Sequence, residues 1–240
     1  MANYFEANGN AGQVSIDDGF SNLSYIRKVS FTFKKETGIT YYSRELAIDT
    51  TGVSNAVVAI SSNIACTVVR ETPTSFIIVV AANNKDGVTN SVDLLNSTNG
   101  YLHAYIFGTN NNAPANGVGL VCYNESGGVT YYSGFDYLNP IDMYVESTTY
   151  RPTIPSQYNI VNRVLPTGRT YAFIPLFKLF TVYSEWVSGG QDTICMSSMC
   201  AIQGNIAILT SNAIYASKDL SAIYAGYCKH AYMFVDVTGY

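Results

Sequence analysis

Few residues in this chain are of the kinds that do chemistry, and their spacing decides what they could do. His103 and His230 are the two histidines, and a histidine is the commonest general base. Each opens the same local sequence, His103-Ala-Tyr-Ile-Phe107 and His230-Ala-Tyr-Met-Phe234. In a strand, His, Tyr and Phe at this spacing share one face. Equivalent places predict a shared structural role, so catalysis is not expected of either. Cys195 and Cys200 form a close pair with no histidine near them, which leaves a zinc knuckle without its usual ligands. With Cys66, Cys122 and Cys228 they make five scattered cysteines. An odd, scattered set reads as buried, reduced small hydrophobes rather than a disulfide scaffold. Asp17, Asp18 and Asp86 lie in turn-like sequence, where side-chain hydrogen bonding to the backbone accounts for them. No pair of carboxylates facing one cleft, as glycoside hydrolysis needs, can be nominated. No G-x-S-x-G, phosphate-binding glycine loop or H-E-x-x-H occurs. The sequence predicts no enzyme, no cofactor and no metal.

Tyrosine is the residue in excess, at 20 of 240. Cross-strand aromatic packing explains most of them. A rigid ring with a polar tip also suits interfaces and sugar stacking. The candidate contact residues are Tyr41, Tyr42, Tyr131, Tyr132, Tyr183 and Trp186. Adjacent strand residues point to opposite faces, so one of Tyr41 and Tyr42, and one of Tyr131 and Tyr132, is expected to reach the surface or a partner.

The elements that must position these residues read as β throughout. Val29-Ser-Phe-Thr-Phe-Lys34 and Tyr101-Leu-His-Ala-Tyr-Ile-Phe107 alternate apolar and polar positions, as half-buried strands do. Asp86-Gly87 and Asn99-Gly100 supply turn chemistry. Short helices are plausible only over residues 88–96 and 217–223, and the Asn-rich stretch 109–117 reads as a loop. Charged residues make up 12% of the chain and hydrophobic ones 48%, against about 25% charged in typical soluble proteins. A surface so poor in charge suits a subunit packed into an assembly. With a net charge of −4 and no basic run, a nucleic-acid partner is not expected. The apolar stretches 76–82 and 172–182 fall short of the roughly 18 apolar residues of a membrane span. The first residues show no secretory pattern. The expectation is a protein made in a cytoplasm, with no membrane insertion.

The chain also echoes itself. GGVTYYSGFDYL over 127–138 matches GQVSIDDGFSNL over 12–23, with Gly134-Phe135 at a spacing of 115 from Gly19-Phe20 (134 − 19). The histidine segments give a second anchor at a spacing of 127 (230 − 103). Two anchors in the same order predict an internal duplication. The expected fold is all-β, with two related antiparallel β-sandwich, jelly-roll-like domains. They would cover residues 1–110 and 117–240, joined by a linker at 111–116, with an insertion in the second copy near 149–168.

The segment Gly119-Leu-Val-Cys-Tyr-Asn-Glu-Ser-Gly-Gly-Val-Thr-Tyr-Tyr-Ser133, followed by Phe135-Asp-Tyr-Leu138, resembles a family of tail proteins of long-tailed bacteriophages. The match is clear around 119–145 and weaker around 4–28. What the resemblance implies is a non-enzymatic virion component of the tail tip or host-recognition module, made in the host cytoplasm. Its partners would be other tail proteins, further copies of itself, and a host surface receptor or glycan. The family pattern supplies no catalytic residue. A lectin-like receptor-binding module using Trp186, and a capsid decoration protein, are the alternative readings.

Overall fold

β-branched and aromatic residues alternate with Ser, Thr, Asn and Arg along most of the sequence, and such segments form strands because each can bury one face. A computed structural model of the chain describes residues 4–9, 12–17, 22–33, 43–81, 100–109, 119–123, 127–147, 161–176, 180–187, 190–217 and 229–240. The first half holds β1 (Tyr4–Gly9), β2 (Gly12–Asp17), β3 (Leu23–Phe33), β4 (Ser43–Asp49), β5 (Ser54–Ser62), β6 (Cys66–Thr72), β7 (Ser75–Ala81) and β8 (Gly100–Thr109). The second half holds β9 (Val121–Tyr123), β10 (Val129–Tyr132), β11 (Asn139–Val145), β12 (Val161–Val164), β13 (Tyr171–Pro175), β14 (Phe180–Val187), β15 (Gly190–Gln203), β16 (Ile206–Ser217) and β17 (Ala231–Asp236).

Two antiparallel sheets pack face to face, and no helix occurs among the described residues. The first sheet runs β11-β17-β13-β5-β8-β3; the second runs β12-β16-β15-β6-β7-β4, with β14 paired to the far end of β15. β1 with β2, and β9 with β10, form separate hairpins. The all-β sandwich expected from the sequence is thus what the chain forms. The expected helix at 88–96 and the linker at 111–116 lie outside the described residues. Ser217 closes β16, and residues 218–223 lie outside them as well.

The strands do not divide into two independent sandwiches at 110 and 117. Each sheet takes three strands of its path from each half, and one core between the sheets contains Ile60 and Ile78 from the first half with Phe173, Leu209 and Phe234 from the second. Along the strand order of the two sheets the path passes from one half to the other at two seams. Ile60 of β5 faces Phe173 of β13, and Cys66 of β6 faces Cys200 of β15. A half on its own would leave the edges of β5 and β6, or of β13 and β15, unpaired.

Outward from these seams the two halves contribute strands in matching order. β5, β8, β3 answer to β13, β17, β11, and β6, β7, β4 answer to β15, β16, β12. The edge strands also bulge at matched places. Ile26 is the extra residue of β3 and Ile141 that of β11, 115 positions apart (141 − 26). Among the described residues of the first half no strand takes the place that β14 has beside β15. β12, inside the expected insertion 149–168, occupies in its sheet the place that β4 has on the other side of the Cys66–Cys200 seam. Residues 148–160 lie outside the described residues.

The first sheet curls until its two edges touch. Ser24 of β3 bridges Tyr137, just ahead of β11. The Tyr25 N–H donates to the Asp136 carbonyl at 2.6 Å, and the Leu138 N–H to the Leu23 carbonyl at 2.8 Å. This sheet therefore buries both faces. Leu102, Ala104 and Ile106 of β8 face the second sheet, while Tyr105 and Phe107 face into the curl.

Candidate functional site

The β9–β10 hairpin and the turn that follows it carry the quoted family-like segment, and they build a small aromatic unit at the closed edge of the first sheet. Tyr132 is buried at its centre. Cβ atoms added at Gly119 and Gly134 would lie 3.0 Å and 2.5 Å from its ring, so only glycine lets both backbone segments approach so closely. Phe135 meets the same ring edge-on at 5.0 Å. Tyr131 points the other way, half-buried, and stacks on Tyr137 at 5.3 Å. The Tyr137 hydroxyl accepts the Tyr132 N–H and donates to the Tyr132 carbonyl. It serves Tyr132 on the edge facing away from β9, whose Val121 is the strand partner on the other side.

Next to this unit, Tyr240 fills the curl of the first sheet. Its ring stacks on Tyr25 at 5.0 Å and meets Phe107 edge-on at 5.9 Å. Its hydroxyl donates to the Tyr137 carbonyl at 2.7 Å, and Lys28 Nζ donates to its own carbonyl at 2.9 Å. Burial, reinforced by Asp136 and Asp236, pushes the Tyr240 phenol up to about 12. Burial likewise raises Tyr137 and Tyr25.

The expected split of Tyr131 and Tyr132 to opposite faces is what the hairpin shows, but neither is its outermost residue. Leu120 is 54% exposed and Tyr123 60% exposed, and both escaped the sequence reading because neither is part of a tyrosine pair. Tyr41 and Tyr42 lie outside the described residues. Tyr183 and Trp186 belong to β14, where their backbones pair with Ile194 and Gln191; β14 is far in sequence from the hairpin and shares no strand pairing with it. Tyr137 and Tyr240 stand in no tyrosine pair of the sequence. Tyr137 lies 115 positions after Asn22 (137 − 22), so the sequence match of the two segments does not mark it.

The histidines differ in a way that corrects the expectation of one shared role. His103 lies on the outer side of β8, its Nδ1 2.8 Å from Ser30 Oγ and its ring stacked on Tyr101 at 5.1 Å. Burial, then Lys28, lowers its pKa. His230 is fully buried between the sheets, its Nδ1 2.6 Å from Ser198 Oγ, which also lies 2.7 Å from the Tyr232 hydroxyl. The ladders explain the difference. Ile106 opposes the residue after the β3 bulge, Arg27, and Phe234 opposes the residue after the β11 bulge, Asp142. That correspondence is 128 (234 − 106), one more than the sequence match. A slip of one residue in a strand exchanges faces, so His, Tyr and Phe of the two segments point to opposite sides of the sheet.

Among the described residues no three His, Cys, Asp or Glu side chains converge as a metal-binding group. The exposed large apolar side chains among them are Leu120, Tyr123, Met143, Val145, Val164 and Ile206. All belong to the second half, on the hairpin and on or beside the edge strands β11 and β12. Chemically, this surface offers apolar area and aromatic tips rather than a cleft with converging acids or bases. No protein-family model, curated protein or solved structure matches the chain.

Proposed function

We propose that the protein is a structural subunit of a bacteriophage tail, at or near the tail tip, and that it works by assembly. The observation that carries this reading is the one-sided distribution of exposed large apolar residues among the described ones. Tyr123 at 60%, Met143 at 63% and Val164 at 68% exposed all lie in the second half. A surface with so few charges, 12% of the chain, gains by burying such residues against a neighbour, and a stable interface needs about 1,600 Å² in total. The resemblance of the hairpin segment to phage tail proteins points to other tail subunits and further copies of the chain as the neighbours. The protein is made in the host cytoplasm and ends in the virion.

The same reading takes the two halves as copies of one β unit. It is supported by the matching strand order about the Ile60–Phe173 and Cys66–Cys200 seams and by the bulges at Ile26 and Ile141.

Mass spectrometry of purified virions, with sedimentation of the isolated protein, tests the assembly role. The expected result is the chain in virions and self-association that weakens in a Tyr123→Ser, Met143→Ser double variant. A protein absent from virions and monomeric at tens of micromolar overturns it.

A further inference from the structure

In the second sheet the seam between the halves is a single residue pair, and both members are cysteines. Cys66 and Cys200 are direct Cα partners in an antiparallel pairing. Both are free, fully buried and part of the core between the sheets. The Cys66 thiol leans toward the neighbouring strand, its Sγ donating to the Cys200 carbonyl at 3.9 Å. Antiparallel partners have Cα atoms about 4.5–5.5 Å apart, within the roughly 4.4–6.8 Å that a disulfide spans. Their Cβ atoms, about 4.5–5.5 Å apart, need to close to about 3.5–4.5 Å, a shift of about 1 Å. Across the ladder, Val80 flanks Cys66 and Leu209 flanks Cys200; the polar neighbours of the sulfurs are Ser62, which hydrogen-bonds the Cys66 thiol, and the Ala201 carbonyl, which accepts from Cys200 Sγ at 3.6 Å.

We propose that Cys66 and Cys200 are a latent cross-strand disulfide, a covalent modification site that joins the two halves of the chain at the centre of the second sheet. The reaction is thiol–disulfide exchange with a small oxidised disulfide such as oxidised glutathione. One cysteine thiolate attacks a reagent sulfur, which forms a mixed disulfide and releases one reduced thiol. The other cysteine thiolate attacks the protein sulfur of that mixed disulfide, which forms the Cys66–Cys200 bond and releases the second reduced thiol. Two protein thiols are oxidised, one reagent disulfide is reduced, and the two protons pass to the released thiolates. Burial pushes the Cys66 thiol up to about 12 and raises Cys200 as well. Because the thiolate is the reacting species, the folded protein reacts slowly, and the bond forms during folding or while the seam is open.

The full chain is refolded from denaturant in a buffer of reduced and oxidised glutathione, alkylated, and mapped by mass spectrometry. The expected product is a peptide pair joined through Cys66 and Cys200. Closing a separation of 134 residues is expected to raise the Tm by roughly 10 °C over the reduced form. That rise is expected to persist in Cys122→Ser and to vanish in Cys66→Ser; Cys66→Ala, which buries no hydroxyl, is the second variant if the serine does not fold. Full alkylation of both cysteines after oxidative refolding overturns the proposal, and so does a disulfide from either one to Cys122, Cys195 or Cys228.

Discussion

The Tyr137 hydroxyl grips the backbone of Tyr132 from both sides, accepting its N–H at 2.7 Å and donating to its carbonyl at 3.0 Å. The carbonyl has a second donor, the Phe135 N–H at 3.0 Å. Loss of the hydroxyl therefore leaves chiefly the N–H without a partner. Tyr137→Phe is expected to destabilise the fold by about 1–3 kcal/mol, read as a lower urea midpoint at unchanged slope. A change below about 0.5 kcal/mol would mean that water replaces the hydroxyl there.

The glycines around the Tyr132 ring predict a second effect. A Cβ at Gly134 would sit 2.5 Å from the ring, which Phe135 holds from another side. Gly134→Ala is expected to cost about 1–3 kcal/mol through overpacking. Gly134→Ala combined with Tyr132→Leu is expected to cost less than the sum of the two single changes, because the smaller side chain removes the clash. Thermal or urea unfolding of the two singles and the double measures this.

Alkaline pH should unfold the protein by way of its packed phenols. Tyr240 is raised from 10.0 to about 12, and Tyr25, Tyr101, Tyr105 and Tyr137 are raised as well, burial being the main cause in each. A raised phenol pKa means that the native state holds its proton more tightly than the unfolded chain does. The contribution is complete below pH 10 and is lost as the pH rises through about 12. The expected record is a urea midpoint that falls over this interval, with tyrosinate absorbance appearing later in the native protein than in the denatured one. Tyr240→Phe should flatten part of that fall.

Cutting the chain between the halves tests the shared core. Residues 117–240 expressed alone leave β13 and β15 without the strands that face them at Phe173 and Cys200. The expected behaviour is pairing with a second copy or with residues 1–116, or else aggregation. A stable, well-folded monomer by sedimentation and circular dichroism would show that each half carries its own complete core.

The sequence carried the fold class because alternation is local. Leu102, Ala104 and Ile106 against Tyr105 and Phe107 is readable from β8 itself. Which strands face each other at Ile60–Phe173 is not, since nothing near either residue encodes a partner in the other half. The spacing of 115 was readable and coincides with the bulges at Ile26 and Ile141. The spacing of 127 was misleading by one residue, and one residue is enough to turn His230 inward and His103 outward. Of the candidate contact residues, Tyr131 and Tyr132 do point to opposite faces, but Tyr131 is half-buried against Tyr137 rather than at the surface. The exposure of Leu120 and Tyr123 depends on how the hairpin sits on the sheet, which no pairing of neighbours in the sequence reveals.

The contact that closes the first sheet, Leu138 onto Leu23, has a consequence for where a further strand can pair. A sheet whose edges occupy each other at one end is poorly placed to accept an added strand there, so growth of the large sheets by strand addition falls to the second sheet. Among the described residues three of its strands pair on one side only, and they are unequal: β14, with eight residues, pairs with β15 alone. β12 has four residues, and Arg163 on it is held by Asp142 at 2.8 Å; β4 has seven. Among the described residues, backbone for a further strand is thus offered along β4 and β14 rather than along the closed end of the first sheet.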